Sequence, residues 1–347
     1  VHAGGGNDTI YIGSNATLVS NNDGNVNGIA ALLVIDGGAG TDVLDVDDSA
    51  DTAANTGTLT GTMLTGLGMT NGGIQYEDIE NLAVTLGSGD DTFNIQGTHT
   101  RTTTVNAAAG EDTFNVQTVS GDTTVNAGAD NDVVNVGSTA PTVGGVLDGI
   151  GARLSINGDG GTDTVNLDDS ADTADNLGTL TGSTLSGLGM GGTINYAGID
   201  ILNLDLGSGD DRINVHGTSA MTNLDTAQGD DLIYVSSGAN LGELDTAPAS
   251  GDLEALYDAI LHGTLDAVTG TLNIEAGAGQ NTLGVSDRTD ADADASVVLT
   301  STSIQGLATA AINYLATGGD FSGQGAWARS ADRGLFGRGI NIYAGAG

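Results

Sequence analysis

The chain has 347 residues, of which 58 are glycine, 3% are aromatic and none is cysteine. Its 45 acidic residues against 7 basic ones give a formal net charge of −38. This charge excludes a nucleic-acid-binding surface, because no basic patch exists to bind phosphate. The absence of cysteine excludes disulfides and thiolate metal sites. No apolar run reaches the roughly 18 residues that would predict a membrane span.

A glycine-aspartate turn recurs along the chain, each time in front of a short apolar strand. Its fullest form is Gly-Gly-Ala-Gly-Thr-Asp-Val-Leu at 37–44. Repetition of one turn is typical of a solenoid, in which each rung buries its apolar side chains against its neighbours. The aspartates at the principal position of this turn are Asp8, Asp42, Asp91, Asp112, Asp132, Asp163, Asp211 and Asp231. A second carboxylate precedes some of them, at Asp90, Asp130, Asp210 and Asp230.

A short period of about 20 residues describes the predicted rung. Residues 92–96 and 102–106 both alternate polar and apolar side chains, as half-buried strands do. Phe93, Ile95 and Val105 are expected to point inward. The pattern predicts an all-β fold, a right-handed parallel β-solenoid of two-strand β-roll rungs. Asn94, Asn115 and Asn135 share one strand position and are expected to form an amide ladder.

A longer period of about 120 residues is superimposed on the short one. The acidic stretch at 47–53 returns at 168–174, and Gly-Leu-Gly-Met at 66–69 returns at 187–190. We interpret the two acidic stretches as solvated loops. The chain is divided into a partial repeat unit, two full units and a divergent partial unit within one continuous solenoid, with bounds 1–35, 36–156, 157–273 and 274–347. A short helix is predicted as an insertion near 250–263.

The chemistry of the turn suggests calcium. Glycine allows the tight backbone angles that point carbonyl groups at one place, and aspartate adds a short carboxylate. Ca²⁺ takes six to eight oxygen ligands at about 2.3–2.6 Å and tolerates irregular geometry. The alternative is that each aspartate caps its own turn by accepting backbone N–H groups.

The turn resembles the RTX, or haemolysin-type, calcium-binding repeat, whose pattern is G-G-x-G-x-D-x-U-x. Residues 37–45 fit every defined position. The resemblance implies that the eight principal aspartates are calcium ligands and that Asn281 takes the same place in the last unit. It also implies an extracellular roll that folds when calcium binds. The RTX family repeats its motif every nine residues along both edges, whereas the longer spacing here predicts a ladder on only one edge.

The expected function is structural: a calcium-binding extracellular or cell-surface solenoid that forms a stalk or fibre segment of a large bacterial adhesin-like protein. The chain begins in the middle of a repeat, which favours a piece of a longer protein. No catalytic constellation is visible, so an enzyme is not expected. One alternative is a metal-independent filament subunit whose partners are copies of itself, end to end or laterally. Surface glycans are further candidate partners, and a polysaccharide-active β-helix is the least favoured alternative.

Overall fold

A computed structural model describes residues 1–242, 262–292, 294, 296–322 and 339–345. The all-β prediction is confirmed, because these residues form 27 strands and contain no α-helix. None of their segments is therefore a helix long and apolar enough to cross a membrane. The helix predicted near 250–263 lies, except for its last two residues, outside the described residues. The strands are β1 (Thr9–Ile12), β2 (Leu32–Asp36), β3 (Val43–Asp47), β4 (Thr56–Leu59), β5 (Met63–Gly66), β6 (Gly73–Glu77), β7 (Asn81–Thr85), β8 (Thr92–Ile95), β9 (Thr102–Asn106), β10 (Thr113–Val116), β11 (Thr123–Asn126), β12 (Val133–Val136), β13 (Leu154–Asn157), β14 (Thr164–Asp168), β15 (Leu177–Leu180), β16 (Thr184–Gly187), β17 (Thr193–Ala197), β18 (Ile201–Asp205), β19 (Arg212–Val215), β20 (Met221–Asp225), β21 (Leu232–Val235), β22 (Leu272–Glu275), β23 (Thr282–Ser286), β24 (Val298–Leu299), β25 (Ser303–Gln305), β26 (Ile312–Leu315) and β27 (Ile340–Tyr343).

The strands belong to two compact units, each built from two mostly parallel sheets. Unit 1 comprises Val1–Val143, Leu147–Asn166 and Met190–Ile199, and unit 2 comprises Gly144–Val146, Leu167–Gly189 and Asp200–Gly347. In unit 1 the strand orders are β1-β3-β7-β9-β11-β13-β17 in the first sheet and β2-β6-β5-β4-β8-β10-β12 in the second. In unit 2 they are β16-β15-β19-β21-β23-β27 and β18-β20-β22-β26-β25-β24. Consecutive strands mostly alternate between sheets, which is the predicted two-strand rung.

Neighbouring rungs stack in register, so that like residues lie on like. Phe93 pairs with Phe114, and Phe114 pairs with Val134. Phe93, Ile95 and Val105 are fully buried, as the alternation predicted. The core is thus a thin row of side chains between the two sheets, and each rung covers the apolar residues of the next.

The predicted amide ladder is confirmed. Asn115 Nδ2 donates to Asn94 Oδ1 at 2.9 Å, and Asn135 Nδ2 donates to Asn115 Oδ1 at 2.9 Å. Similar ladders run through other strands, joining Asn106, Asn126 and Asn157 in unit 1, and Asn203, Asn223, Asn273 and Asn313 in unit 2. An amide both donates and accepts hydrogen bonds. Each ladder therefore pairs the polar groups of its half-buried asparagines and fixes the register of the rungs.

An antiparallel meander explains the longer period. Strand β5 pairs antiparallel with β4 on one side and with β6 on the other. β6 also pairs parallel with β2, and β4 pairs parallel with β8. The turn after β5 needs glycine, because Gly66 has φ +84° and a Cβ there would lie 1.9 Å from the Thr56 carbonyl oxygen. Leu67 follows with φ 50° and is fully buried. Leu188 repeats this conformation and burial after β16. The motif at 66–69 and 187–190 therefore forms the same turn, with a buried leucine in it.

Candidate functional site

The predicted ligand residues lie in the turns that precede strands, in three stacked groups instead of one site. We name the groups by the inward-facing residues that are joined by hydrogen bonds between rungs. They are the first ladder (Asp8, Asp42, Glu80), the second ladder (Asp91, Asp112, Asp132, Asp163) and the third ladder (Asp211, Asp231, Asn281). The companion residues Asp90 and Asp130 lie in turns of the second ladder, and Asp210 and Asp230 lie in turns of the third.

Within unit 1, the first and second ladders lie at opposite edges of the two sheets. The turn that carries Asp42 leads from β2 in the second sheet to β3 in the first, whereas the turn that carries Asp91 leads from β7 back to β8. The prediction that only one edge carries a ladder is therefore wrong. Two sheet crossings, from β3 to β4 and from β6 to β7, separate the two motifs, and an even number of crossings places the second acidic turn at the other edge.

Each inward residue that follows another in its ladder accepts a hydrogen bond from the backbone of the preceding rung. Asp112 Oδ1 accepts the N–H of Asp91 at 2.7 Å, and Asp132 Oδ1 accepts the N–H of Asp112 at 2.8 Å. Oδ1 therefore joins two rungs instead of capping its own turn. The same bond recurs from Asp132 to Asp163, Asp8 to Asp42, Asp42 to Glu80, Asp211 to Asp231 and Asp231 to Asn281.

A second set of bonds runs in the opposite direction, near the outer side of the same turns. Here a backbone N–H of the later rung donates to a side chain of the earlier one, as Asp230 does to Asp210 Oδ1 at 2.8 Å. Other donor–acceptor pairs of this outer set are Glu111 to Asp90, Gln280 to Asp230, Thr41 to Asn7 and Thr162 to Asn131. Asp130 instead accepts from the earlier rung, through the N–H of Gly110. Because asparagine serves as an acceptor in both sets, these bonds require an oxygen atom and not a charge.

In several inward aspartates the second carboxylate oxygen, Oδ2, receives no hydrogen bond from the described part of the chain. Oδ2 of Asp8, Asp42, Asp112 and Asp132 is buried and has no hydrogen-bond donor among the described residues. Burial raises the pKa of Asp112 and Asp132 to about 7, against the lowering effect of the backbone bond that each accepts. Neighbouring carboxylates add to the increase. A buried anionic oxygen of this kind is stabilised either by a proton or by a cation.

We expect the metal-free protein to be more stable near pH 5 than near pH 8. Burial raises the pKa of Asp231 to about 7 and that of Asp211 to about 6, as it does in the second ladder. A carboxyl whose pKa is higher in the folded state takes up a proton on folding. Its contribution to the free energy of unfolding is therefore lost as the pH rises through the folded pKa. Thermal unfolding in EDTA, followed by circular dichroism, measures this. A midpoint that rises steadily with pH between 5 and 8 would contradict the expectation.

The acidic stretch at 47–53 is not a solvated loop, and the interpretation of it as one is wrong. Asp48 and Asp47 are buried, and they accept the N–H groups of Val26 and Gly24 at 2.9 and 2.7 Å. Burial raises the pKa of Asp48 to about 7. In the second copy, Asp169 is buried as well, and Asp168 accepts an N–H in the same way as Asp47. These carboxylates hold the preceding loop against the rung, which local sequence does not reveal.

One acidic cluster escaped the sequence analysis. A carboxylate oxygen from each of Asp287, Asp290 and Asp294 lies within 4.8 Å of the other two, the one such group of three metal-ligating side chains within the described part of the chain. It is the third copy of the acidic stretch at 47–53. The sequence indicates this cluster at Asp294, because the first copy has Asn55 and the second has Asn176 at the same position.

Comparison of the sequence with models of protein families gives no match, and comparison with curated proteins gives none either. Function therefore has to be inferred from the geometry of the acidic turns. That geometry comprises rungs in register, two sets of hydrogen bonds between adjacent turns, and buried carboxylate oxygens without donors.

Proposed function

We propose that this chain is a structural, calcium-binding β-solenoid segment of a large repetitive protein that works outside the cell or on its surface, with no catalytic role. The observation that carries the proposal is the register of the acidic turns. Successive turns stack so closely that the side chain of one accepts the backbone N–H of the turn before it, as Asp112 Oδ1 does from Asp91 at 2.7 Å. Any cation held at one turn therefore also acts on its neighbour and stiffens the stack.

Calcium suits these turns because their available ligands are oxygen atoms alone. Oδ2 of Asp112 and of Asp132 is buried without a donor in the described structure. Ca²⁺ accepts carboxylates, backbone carbonyls and water together, and two charges on the ion offset two carboxylates. It would thus stabilise the ionised form of both side chains and offset the desolvation that raises their pKa. The formal net charge of −38 adds a general attraction for cations.

Adding Ca²⁺ to the chelated protein is expected to raise its thermal midpoint at pH 8. Extracellular calcium modules bind with Kd of about 10⁻⁴–10⁻³ M. At 10 mM Ca²⁺ each site would therefore add about 1.4–2.7 kcal/mol of stability. Melting followed by circular dichroism in EDTA, in 10 mM CaCl₂ and in matched NaCl tests this, with the NaCl sample correcting for ionic strength. Equal midpoints in all three solutions would refute calcium binding.

A second candidate, self-assembly without a metal, is favoured by one edge of unit 1. β2 is the outermost strand of its sheet there, and residues 1–3 pair only with its second half, at Val34 and Asp36, which leaves its first half as an open edge. Leu32 and Val34 are 53% and 42% exposed. Open edges of this kind add further strands readily. The partner would be another repeat or another copy of this chain. Negative-stain microscopy in EDTA should show fibres that the double variant Leu32→Lys, Val34→Lys lacks. Sedimentation of the unmodified chain as a monomer in EDTA would remove this candidate.

A further inference from the structure

The chain contains three copies of one acidic corner, and the first shows how the charge of one of its aspartates, Asp51, is satisfied. Asp51 Oδ2 accepts two amide donors, Nδ2 of Asn27 at 2.9 Å and Nδ2 of Asn55 at 3.0 Å. Asp51 Oδ1 accepts the N–H of Ala53 at 2.9 Å. These hydrogen bonds hold the pKa of Asp51 below its usual value. Asp51 is thus satisfied without any ion, whereas Oδ2 of the neighbouring Asp48 is buried and has no donor among the described residues.

The third corner has the same backbone. Leu265 N–H donates to Asp287 Oδ1 at 2.8 Å, just as Val26 N–H donates to Asp48 Oδ1 at 2.9 Å. A backbone bond from Thr289 to the Gly263 carbonyl matches the bond from Ala50 to the Gly24 carbonyl. These matching bonds align the two corners residue by residue. They equate Asp287 with Asp48, Asp290 with Asp51, Asp266 with Asn27 and Asp294 with Asn55.

Both amide donors of the first corner are therefore carboxylates in the third. Asp290 keeps its local bond, in which Oδ1 accepts the N–H of Asp292 at 2.8 Å. The residues that supply the amide groups to Asp51 correspond here to Asp266 and Asp294, which have no proton to donate when ionised. A change from two donors to two anions reverses the electrostatics of the corner while leaving its backbone intact.

A buried oxygen in the third corner is left without a donor. Asp287 is fully buried, and its Oδ2 has no hydrogen-bond partner among the described residues, as is also true of Asp48 Oδ2 in the first corner; the two corners differ in the residues around this oxygen. Its carboxylate lies with those of Asp290 and Asp294, whose oxygens come within 4.8 Å of it. The charges that act on Asp287 are all negative, those of Asp290, Asp294 and Asp266. The nearby Arg288 acts on the hydroxyl of Tyr234 and is not among them.

We propose that Asp287, Asp290 and Asp294 form a binding site for one hard divalent cation, with Asp266 as an outer charge. Three converging carboxylates supply only oxygen ligands, which Ca²⁺ and Mg²⁺ prefer. Asp294 is exposed, so water can complete the coordination on that side. The cation replaces the two amide donors of the first corner. This site does not depend on calcium at the ladders, because none of its residues belongs to them.

Titration calorimetry with CaCl₂ on the full chain tests the site. Asp294→Asn restores the amide of the first corner and should lower the number of bound Ca²⁺ by one, or weaken one binding class at least 10-fold. Asp292→Asn removes the same charge two residues away, and it should leave both the number and the affinity unchanged. Circular dichroism of both variants checks that the strands remain folded. A parallel titration with MgCl₂ shows which of the two ions the corner prefers.

The outcomes separate this site from the ladders. Loss of one Ca²⁺ in Asp294→Asn but not in Asp292→Asn supports the site, whether or not the ladders bind calcium. Equal Ca²⁺ binding by Asp294→Asn and the unmodified chain would overturn the proposed site. Equal losses of Ca²⁺ in Asp294→Asn and Asp292→Asn would also overturn it, because they would indicate a general effect of charge. A variant in which Asp112 and Asp132 are both replaced by Asn addresses the ladders alone, and it should retain the Ca²⁺ that depends on Asp294.

Discussion

Replacing Gly161 with alanine is expected to destabilise unit 1 by about 3 kcal/mol or more. Gly161 has φ +139°, and a Cβ built on it would lie 1.8 Å from the backbone oxygen of Asp130 in the neighbouring rung. The obstacle is backbone and not a side chain that could rotate away. Relief would require the two rungs to move apart, which would weaken the bond from Asp132 N–H to Asp163 Oδ1. For a unit of this size we expect the thermal midpoint to fall by roughly 10 °C.

Gly160 provides the matched control. It precedes Gly161 in the same turn, but nothing lies within 4 Å of a Cβ at that position and its φ is not in the left-handed region. Gly160→Ala should change the thermal midpoint little, and restriction of the unfolded chain could raise it slightly. Melting of both variants in EDTA measures the difference without any contribution from calcium. If the two variants melted alike, close stacking of the turns would not be the reason for glycine here.

The period of the turn was enough to predict the fold, because stacking imposes the same local demand on every rung. A carbonyl oxygen of the neighbouring rung lies about where a side chain would begin at Gly161, and Gly89 and Gly110 stand at the same position of their turns, whereas Asp130 takes it in the Asp132 turn with φ 81°. Phe93 and Val105 could be assigned to the core from alternation alone, since a strand between two sheets buries every second residue. The RTX-like pattern and the stacking requirement both explain these glycines, so the pattern alone does not distinguish calcium binding from close packing.

What could not be predicted depends on partners that are far apart in the sequence. The acidic turn lies at one edge at Asp42 and at the other edge at Asp91, and nothing local to either residue reveals that change. Asp48 looked like a loop residue because its donor, Val26, lies in a different stretch of the chain. The equivalence of Asp266 and Asn27 becomes apparent only when the backbone bonds of the two corners are compared.

The double variant Asp112→Asn, Asp132→Asn is expected to be more stable than the unmodified chain in EDTA at pH 8. Asn281 shows that an amide can fill this position, because its Oδ1 accepts the N–H of Asp231 at 2.9 Å. The substitutions therefore keep the bonds between rungs and remove two buried charges. Each pKa unit by which burial disfavours the ionised form corresponds to about 1.4 kcal/mol. If each substitution removed a cost equivalent to only one pKa unit, the thermal midpoint would rise by on the order of 5 °C.

In calcium, the unmodified chain should have a higher thermal midpoint than the double variant, which is the reverse of the order expected in EDTA. If Ca²⁺ binds between the turns of the second ladder, 10 mM CaCl₂ raises the midpoint of the unmodified chain and has a smaller effect on the double variant, which lacks two anionic ligands there. The dependence of stability on pH in EDTA should also shrink in the variant, which separates titration of the ladder from the general effect of a net charge of −38. An equal response to calcium in both proteins would show that the second ladder is held by hydrogen bonds alone and that any calcium acts elsewhere. A variant less stable than the unmodified chain in EDTA at pH 8 would mean that the ionised carboxylates are not a cost to the metal-free fold.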